Sequence, residues 1–248
     1  MWEQYKHYAC QYQRMLNQPP DWAAAESTPE QFACRKPWLP KNKEARILDF
    51  GCGWGHQLMA LWCAGYHYLE GVELVADQAK ICQTAIAGRF EVHYMDGCDF
   101  LQGKESVYDL IIMNDVIEHI SVDKIATVLH VVYQALVPNG SIVLRTPNMS
   151  SLLCAYSRYL DFTHLTGYTE FSLRQLLDLI GFEKHQLVPD QWGWHPGAWR
   201  PWVPWRGLGL KGFFNHFIHK TLYYLRGQNP KPTVFGYNIE IYSHKPAS

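Results

Sequence analysis

No two of the seven cysteines stand at a Cys-x-x-Cys spacing, and an odd number cannot pair off completely. Cys10, Cys34, Cys52, Cys63, Cys82, Cys98 and Cys154 lie in apolar or motif surroundings, which excludes a disulfide frame and suits reduced thiols in a cytoplasmic protein. An N-terminal apolar run of signal length is missing, and no stretch approaches a membrane span. Repeats and low-complexity tracts are missing as well. Acids are scarce at one end only. The first 190 residues hold 15 Lys/Arg against 22 Asp/Glu, whereas the last 58 hold seven against one, Glu240. A basic appendage therefore follows an acidic body, and with no basic stripe in that body a nucleic-acid partner is not expected.

What is present suits one sizeable domain: 248 residues with room for a core. Strands are predicted near residues 46–50, 68–73, 90–94, 107–113 and 140–146, and helices near 55–64, 75–87 and 122–136. Alternation at this spacing builds right-handed βαβ units and a parallel sheet covered on both faces. A further helix over 171–180 closes on Gly181, Phe182–Val188 reads as a sixth strand, and Tyr237–Ser243 as a seventh. The expected fold is α/β, a doubly wound, seven-stranded, mostly parallel sheet with an aromatic-rich insertion before the last strand.

Two segments flank or interrupt that frame. Residues 1–45 carry Pro19-Pro20, Pro29, Pro37 and Pro40, and Tyr5, Tyr8, Tyr12 and Leu16 recur at helical spacing, which predicts an N-terminal helical cap over Trp2–Leu16. The domain proper would then be 46–248. Within it, residues 190–235 form the insertion, with Trp192, Trp194, Trp199, Trp202 and Trp205 in fourteen residues. A helix is predicted over Leu208–Arg226, with Leu210, Phe214, Phe217, Thr221, Leu222 and Leu225 on one face.

The most telling stretch is Ile47-Leu48-Asp49-Phe50-Gly51-Cys52-Gly53-Trp54-Gly55, an apolar strand breaking into glycines ahead of a helix. Such a turn brings backbone N–H groups and a helix start close to a ligand. Glu73 ends the next strand 22 residues after Gly51, where a carboxylate can accept from both hydroxyls of a ribose. Asp49 adds a second carboxylate. The pair suits a ligand with a free ribose and a positive charge, and would repel a pyrophosphate. The turn has no Gly-Lys-Ser/Thr, so a phosphate-cradling loop is excluded.

These residues resemble motif I of the class I S-adenosylmethionine-dependent methyltransferases. Three more segments follow in that family's order: Tyr94–Phe100, Val107–Ile120 and Leu136–Leu144. The resemblance covers about residues 45–190 and implies S-adenosyl-L-methionine as cofactor. It implies contacts from Asp49, Gly51, Cys52, Gly53, Gly55, Glu73, Leu74, Asp96, Gly97, Asn114 and Asp115. It also puts Asp115, Glu118 and His119 beside the methyl group. His119 is then the candidate base, since neutral imidazole titrates near working pH; the alternative is a histidine that bonds backbone. Asp161-Phe162-Thr163-His164 before Thr169-Glu170 resembles methyltransferases of bacterial surface-polysaccharide clusters, which implies Asp161 and His164 over the acceptor pocket. Asp115-x-x-Glu118-His119 with His164 further resembles the divalent-metal set of the small-RNA 3′-terminal ribose methyltransferases, although the first position here is Asp rather than Glu.

The function this points to is O-methylation of a sugar or similar polar group of a surface glycan or its precursor, since indole faces stack on sugar rings. Two alternatives stay open: a small-molecule O- or N-methyltransferase of quinone or secondary metabolism, and a non-catalytic cofactor-binding scaffold. The predicted Leu208–Arg226 helix has three candidate partners: its own domain, a second subunit, or an anionic membrane met through the basic C-terminal region.

Overall fold

A computed structural model describes residues 38–85, 88–187 and 210–247. The predicted helix Trp2–Leu16 with the rest of residues 1–37, Val188 at the predicted end of the sixth strand, and all five clustered tryptophans fall outside the described residues.

The strands are β1 (Ile47–Phe50), β2 (Leu69–Glu73), β3 (Glu91–Tyr94), β4 (Tyr108–Asn114), β5 (Leu136–Pro147), β6 (Glu183–Leu187) and β7 (Asn238–His244). They form one seven-stranded sheet in the order β3-β2-β1-β4-β5-β7-β6. The β1–β2, β1–β4 and β2–β3 pairs are parallel, and β6–β7 is an antiparallel hairpin. This is the expected Rossmann-like methyltransferase fold. The helices are α1 (His56–Cys63), α2 (Ala76–Ala85), α3 (Gly97–Leu101), α4 (Val122–Ala135), α5 (Cys154–Leu160), α6 (Glu170–Ile180) and α7 (Leu210–Leu225). Sequence reading did not find α3 or α5.

The chain divides into two compact units, residues 1–114, 127–142 and 245–248 in one, and 115–126 with 143–244 in the other. In the first, Ile47, Leu48, Leu58, Leu61, Leu110 and Ile111 are fully buried. Strands covered on both faces need apolar runs, which the centre of β4 supplies unbroken and β1 supplies but for Asp49. Each such side chain contributes about 1.5–3 kcal/mol by leaving water. Close packing also explains Gly97: a Cβ there would lie 2.1 Å from the Phe50 ring.

In the second unit Leu144, Leu173, Leu177, Phe182, Phe235 and Ile241 form the core. Helix α6 begins as its sequence demands. Thr169 accepts from the Ser172 N–H, Ser172 Oγ accepts from the Thr169 N–H, and Gly181 closes the helix at φ 104°. Buried Glu170 then accepts from Thr233 and Val234, pinning the segment that leads into β7.

Of the partners open to helix α7, its own domain meets it, among the described residues, through a face other than the apolar one. His216 meets the Phe235 ring edge-on and His219 and Tyr223 lie tilted against it, while Phe214, Phe217, Leu222 and Leu225 are exposed. Hydrogen bonding decides this. His219 Nδ1 donates to the Asn215 carbonyl, its Nε2 accepts the Leu152 N–H at 2.8 Å, and the Tyr223 hydroxyl donates to the Ser150 carbonyl at 3.1 Å. An apolar face could not satisfy those backbone groups.

Candidate active site

In the first unit the glycine turn is built around Glu73. Its Oε2 accepts the Gly53 N–H at 2.7 Å and its Oε1 the Val75 N–H at 2.8 Å. Burial raises the Glu73 pKa and these bonds oppose the rise. The N–H groups of Gly51 and Cys52 both reach the Val72 carbonyl, and Gly51, Gly53 and Gly55 all have positive φ, so the turn folds back on the end of β2. Gly55 caps α1 in the left-handed conformation, where a Cβ would lie 2.4 Å from Cys82 Sγ. Asp49 is buried at the centre of β1. Asp96 caps α3 by accepting the Cys98 N–H at 2.7 Å, and Asn114 donates to Gln57 at 3.3 Å. A hydrogen bond with Cys82, then burial, raises the Cys52 thiol, while burial beside Asp96 and Asp99 pushes Cys98 up to about 11. Both sulfurs are therefore protonated and inert near neutral pH.

This donor set, a positive-φ glycine turn flanked by Asp49, Glu73 and Asp96, fits a cation carrying a ribose and rejects a phosphate. The sequence did not reveal that Glu73 also clamps Gly53; a carboxylate at a strand end signals a ligand contact and a loop brace equally.

In the second unit Asp115 leaves β4 at φ 53°. Its carboxylate pairs with the Arg145 guanidinium and its N–H donates to the Arg145 carbonyl. Glu118 and His119 lie on a 3-10 turn, Ile117–His119. Glu118 is 1% exposed; Thr146 donates to its Oε2 at 3.0 Å, and its Oε1 has no hydrogen-bond partner among the described residues. Burial, then Asp115, pushes its pKa up to about 8. Its own carbonyl accepts the N–H groups of Leu165 and Thr166, which fastens the 161–168 loop to the turn.

That loop carries His164 to His119, with ring centroids 4.8 Å apart. His164 Nδ1 bonds the Ser157 carbonyl at 3.0 Å. His119 Nδ1 meets Thr163 Oγ1 at 2.8 Å and the Thr163 carbonyl at 3.2 Å. Thr163 Oγ1 donates to Asp161 at 2.7 Å, so its lone pairs face the imidazole and place the His119 proton on Nδ1. Burial, then His164, lowers the His119 pKa to about 4, so the ring is neutral at ordinary pH. Of the four sequence candidates, Glu118, His119 and His164 come together, with ligand atoms within 4.8 Å of one another; Asp115 is not in that group. Sequence reading gave Thr163 no part in positioning His119, although Asp-x-Thr-His spells it out, and placed Thr146 in a cluster after the fifth strand without its bond to Glu118.

Seven strands in this order with a glycine turn after β1 define the methyltransferase class of Rossmann-like folds. The family described as "Methyltransferase domain" matches residues 24–187, and the chain belongs to it. It is an S-adenosyl-L-methionine-dependent methyltransferase. No curated protein sequence matches the chain. Among solved structures, a SAM-dependent methyltransferase from Archaeoglobus fulgidus is 18% identical, with 96% of this chain and 100% of that one covered and a TM-score of 0.66. Haemonchus contortus phosphoethanolamine N-methyltransferase 2, solved with S-adenosyl-L-methionine, is 16% identical over 95% of this chain and 56% of its own, at a TM-score of 0.60. The [4+2]-cyclase SpnF is 12% identical over 100% and 95%, at a TM-score of 0.62. At such identities the likeness is one of fold.

Proposed function

We propose that the chain methylates a hydroxyl of a sugar-like acceptor belonging to a bacterial surface glycan or its precursor. The observation that carries this is the imidazole of His119, neutral at working pH and with its proton fixed on Nδ1 by Thr163. Asp49, Glu73 and Asp96, with the turn Gly51–Gly55, are the residues that would hold the cofactor. The cofactor supplies an electrophilic methyl group on a sulfonium with a good leaving group. The protein's task is then to orient the acceptor, exclude water and take one proton. His119 Nε2 accepts the proton of the acceptor hydroxyl, and Asp161, through Thr163, steadies the imidazolium that results. His164, its Nδ1 tied to the Ser157 carbonyl, orients the acceptor oxygen. The test is methyl transfer from labelled cofactor to three acceptor sets: nucleotide- or lipid-linked sugars, quinols, and small amines. Labelled sugar, lost in His119→Asn, supports the reading; label on quinols or amines only overturns it.

A second reading has its own observation: among the described residues buried Glu118 Oε1 has no hydrogen-bond partner, and Glu118 lies in one group with His119 and His164. Two histidines whose Nδ1 atoms bond carbonyls and a hydroxyl are oriented as metal-binding imidazoles commonly are. A divalent cation held there would lower the acceptor hydroxyl's pKa directly. Chelator decides between the two readings. Activity that survives exhaustive chelation leaves His119 as base, whereas activity restored by one added metal transfers the task to the cation.

A further inference from the structure

Helices α5 and α7 form one surface. The Leu152 N–H bonds His219 and the Tyr223 hydroxyl bonds the Ser150 carbonyl, so the middle of α7 rests on the turn that starts α5. Because α7 turns its histidines inward, Phe214 and Phe217 stand 56% and 57% exposed, with Ile218 and Leu222 beside them. On α5, Tyr156 and Tyr159 are exposed as well. Isolated exposed apolar residues are ordinary, but a run of them across two adjoining helices marks an interaction surface.

The charge around this surface is of one sign. Lys220, Arg226 and Lys231 are exposed on or just after α7, and Arg158 lies on α5. Between Val143 and Thr169 the only acid is Asp161, held by Thr163; after Gln191 the only acid is Glu240, which is buried. A symmetric dimer through this face would set it against its own copy, cation against cation with no carboxylate to answer. An anionic lipid surface supplies the missing charge and takes up the phenylalanines, while tyrosines suit the headgroup depth. Among the described residues no helix is long and apolar enough to cross a membrane, so α7, 16 residues long, would lie along the interface.

We propose that the α5–α7 surface docks the protein peripherally on anionic membrane. This goes beyond the acceptor and is read without activity. The experiment is co-sedimentation of the full chain with vesicles of phosphatidylcholine, alone or with about 30% phosphatidylglycerol, at low and high salt. Binding to the anionic vesicles at low salt, at least roughly tenfold tighter than to neutral ones and weakened by salt, is the expected result. Phe214→Ser with Phe217→Ser should reduce it at least tenfold with the melting temperature unchanged, and Lys220→Glu with Arg226→Glu should reduce it and flatten the salt dependence. Three results overturn the proposal. The first is no binding, or equal binding to both vesicles. The second is a dimer that the phenylalanine variants dissociate. The third is a large fall in melting temperature in those variants, which would mean that residues 188–209 of the chain itself cover the helix.

Discussion

The Thr163 hydroxyl lies 2.8 Å from Nδ1 of His119 while giving its one proton to Asp161. A single hydroxyl therefore ties a carboxylate to an imidazole and leaves no choice of tautomer. Thr163→Val keeps the shape and removes both bonds. A lost bond to an imidazolium is worth about 1.5–3 kcal/mol, so turnover should fall roughly 10- to 100-fold with KM little changed. Thr163→Ser should restore it. Equal turnover in wild type and the valine variant would show that the hydroxyl merely orders the loop.

The same imidazole sets an acid limb. His119 is depressed to about 4 against about 6.5 in the unfolded chain. Between those values the unfolded state binds more protons, so stability is full above pH 6.5 and declines as pH falls towards 4. By pH 4 the loss should approach ~3 kcal/mol in chemical denaturation. His119→Asn should abolish that slope. Activity of the wild type should hold down to about pH 5, since the base remains neutral there.

Glu118 acts in the opposite direction. Its pKa is raised to about 8, so the folded state holds a proton that the unfolded chain has released above about 4.5. Stability is therefore full at low pH and is lost as pH rises from 4.5 through 8. Glu118→Gln, which keeps the shape and an acceptor for Thr146, should be more stable than wild type at pH 9 by a melting curve. A variant no more stable there would mean that Glu118 ionises without cost in the fold.

How far the sequence reached depended on period and length. Strands β1 and β4 were legible because burial on both faces demands apolar runs, which only Asp49 interrupts in β1, and α6 because Thr169 and Gly181 mark its ends. Helices α3 and α5, of five and seven residues, are too short to show a period, and most of α5 is exposed. For α7 the helix was legible but the face that meets its own domain was not: apolar periodicity grouped Phe214 and Phe217 and left their partner open, whereas the backbone at Ser150 and Leu152 needed His219 and Tyr223. At the site, motif order pointed to Glu118, His119 and His164; the Asp-x-Thr spacing permits the local Asp161–Thr163 bond, but nothing in it placed His119, 44 residues earlier, against Thr163.

Gly97 offers a test of packing apart from chemistry. Its missing Cβ leaves room for the Phe50 ring, three of whose atoms would lie 2.1–2.7 Å from an added methyl. Gly97→Ala should destabilise the first unit by about 1–3 kcal/mol through overpacking. Adding Phe50→Leu should return part of that loss, although the leucine alone is destabilising. Additive losses in the double variant would refute the contact.

Glu73 carries the last prediction because it does two things at once. It accepts the Gly53 and Val75 N–H groups, and it stands where the family resemblance implies a ribose contact. Glu73→Ala leaves two backbone donors without their acceptor, at about 1–3 kcal/mol each, and should lower the denaturation midpoint clearly. Glu73→Gln keeps an acceptor oxygen for one of them and should fall by less. Cofactor binding by calorimetry should weaken at least tenfold in the alanine variant, because a charge-assisted ribose bond is worth about 1.5–3 kcal/mol. The informative comparison is the glutamine variant. If its fold is nearly as stable as wild type and its cofactor affinity is still reduced severalfold, the carboxylate charge meets the ligand. If affinity tracks stability across both variants, Glu73 only braces the turn, and the ribose contact belongs to another residue.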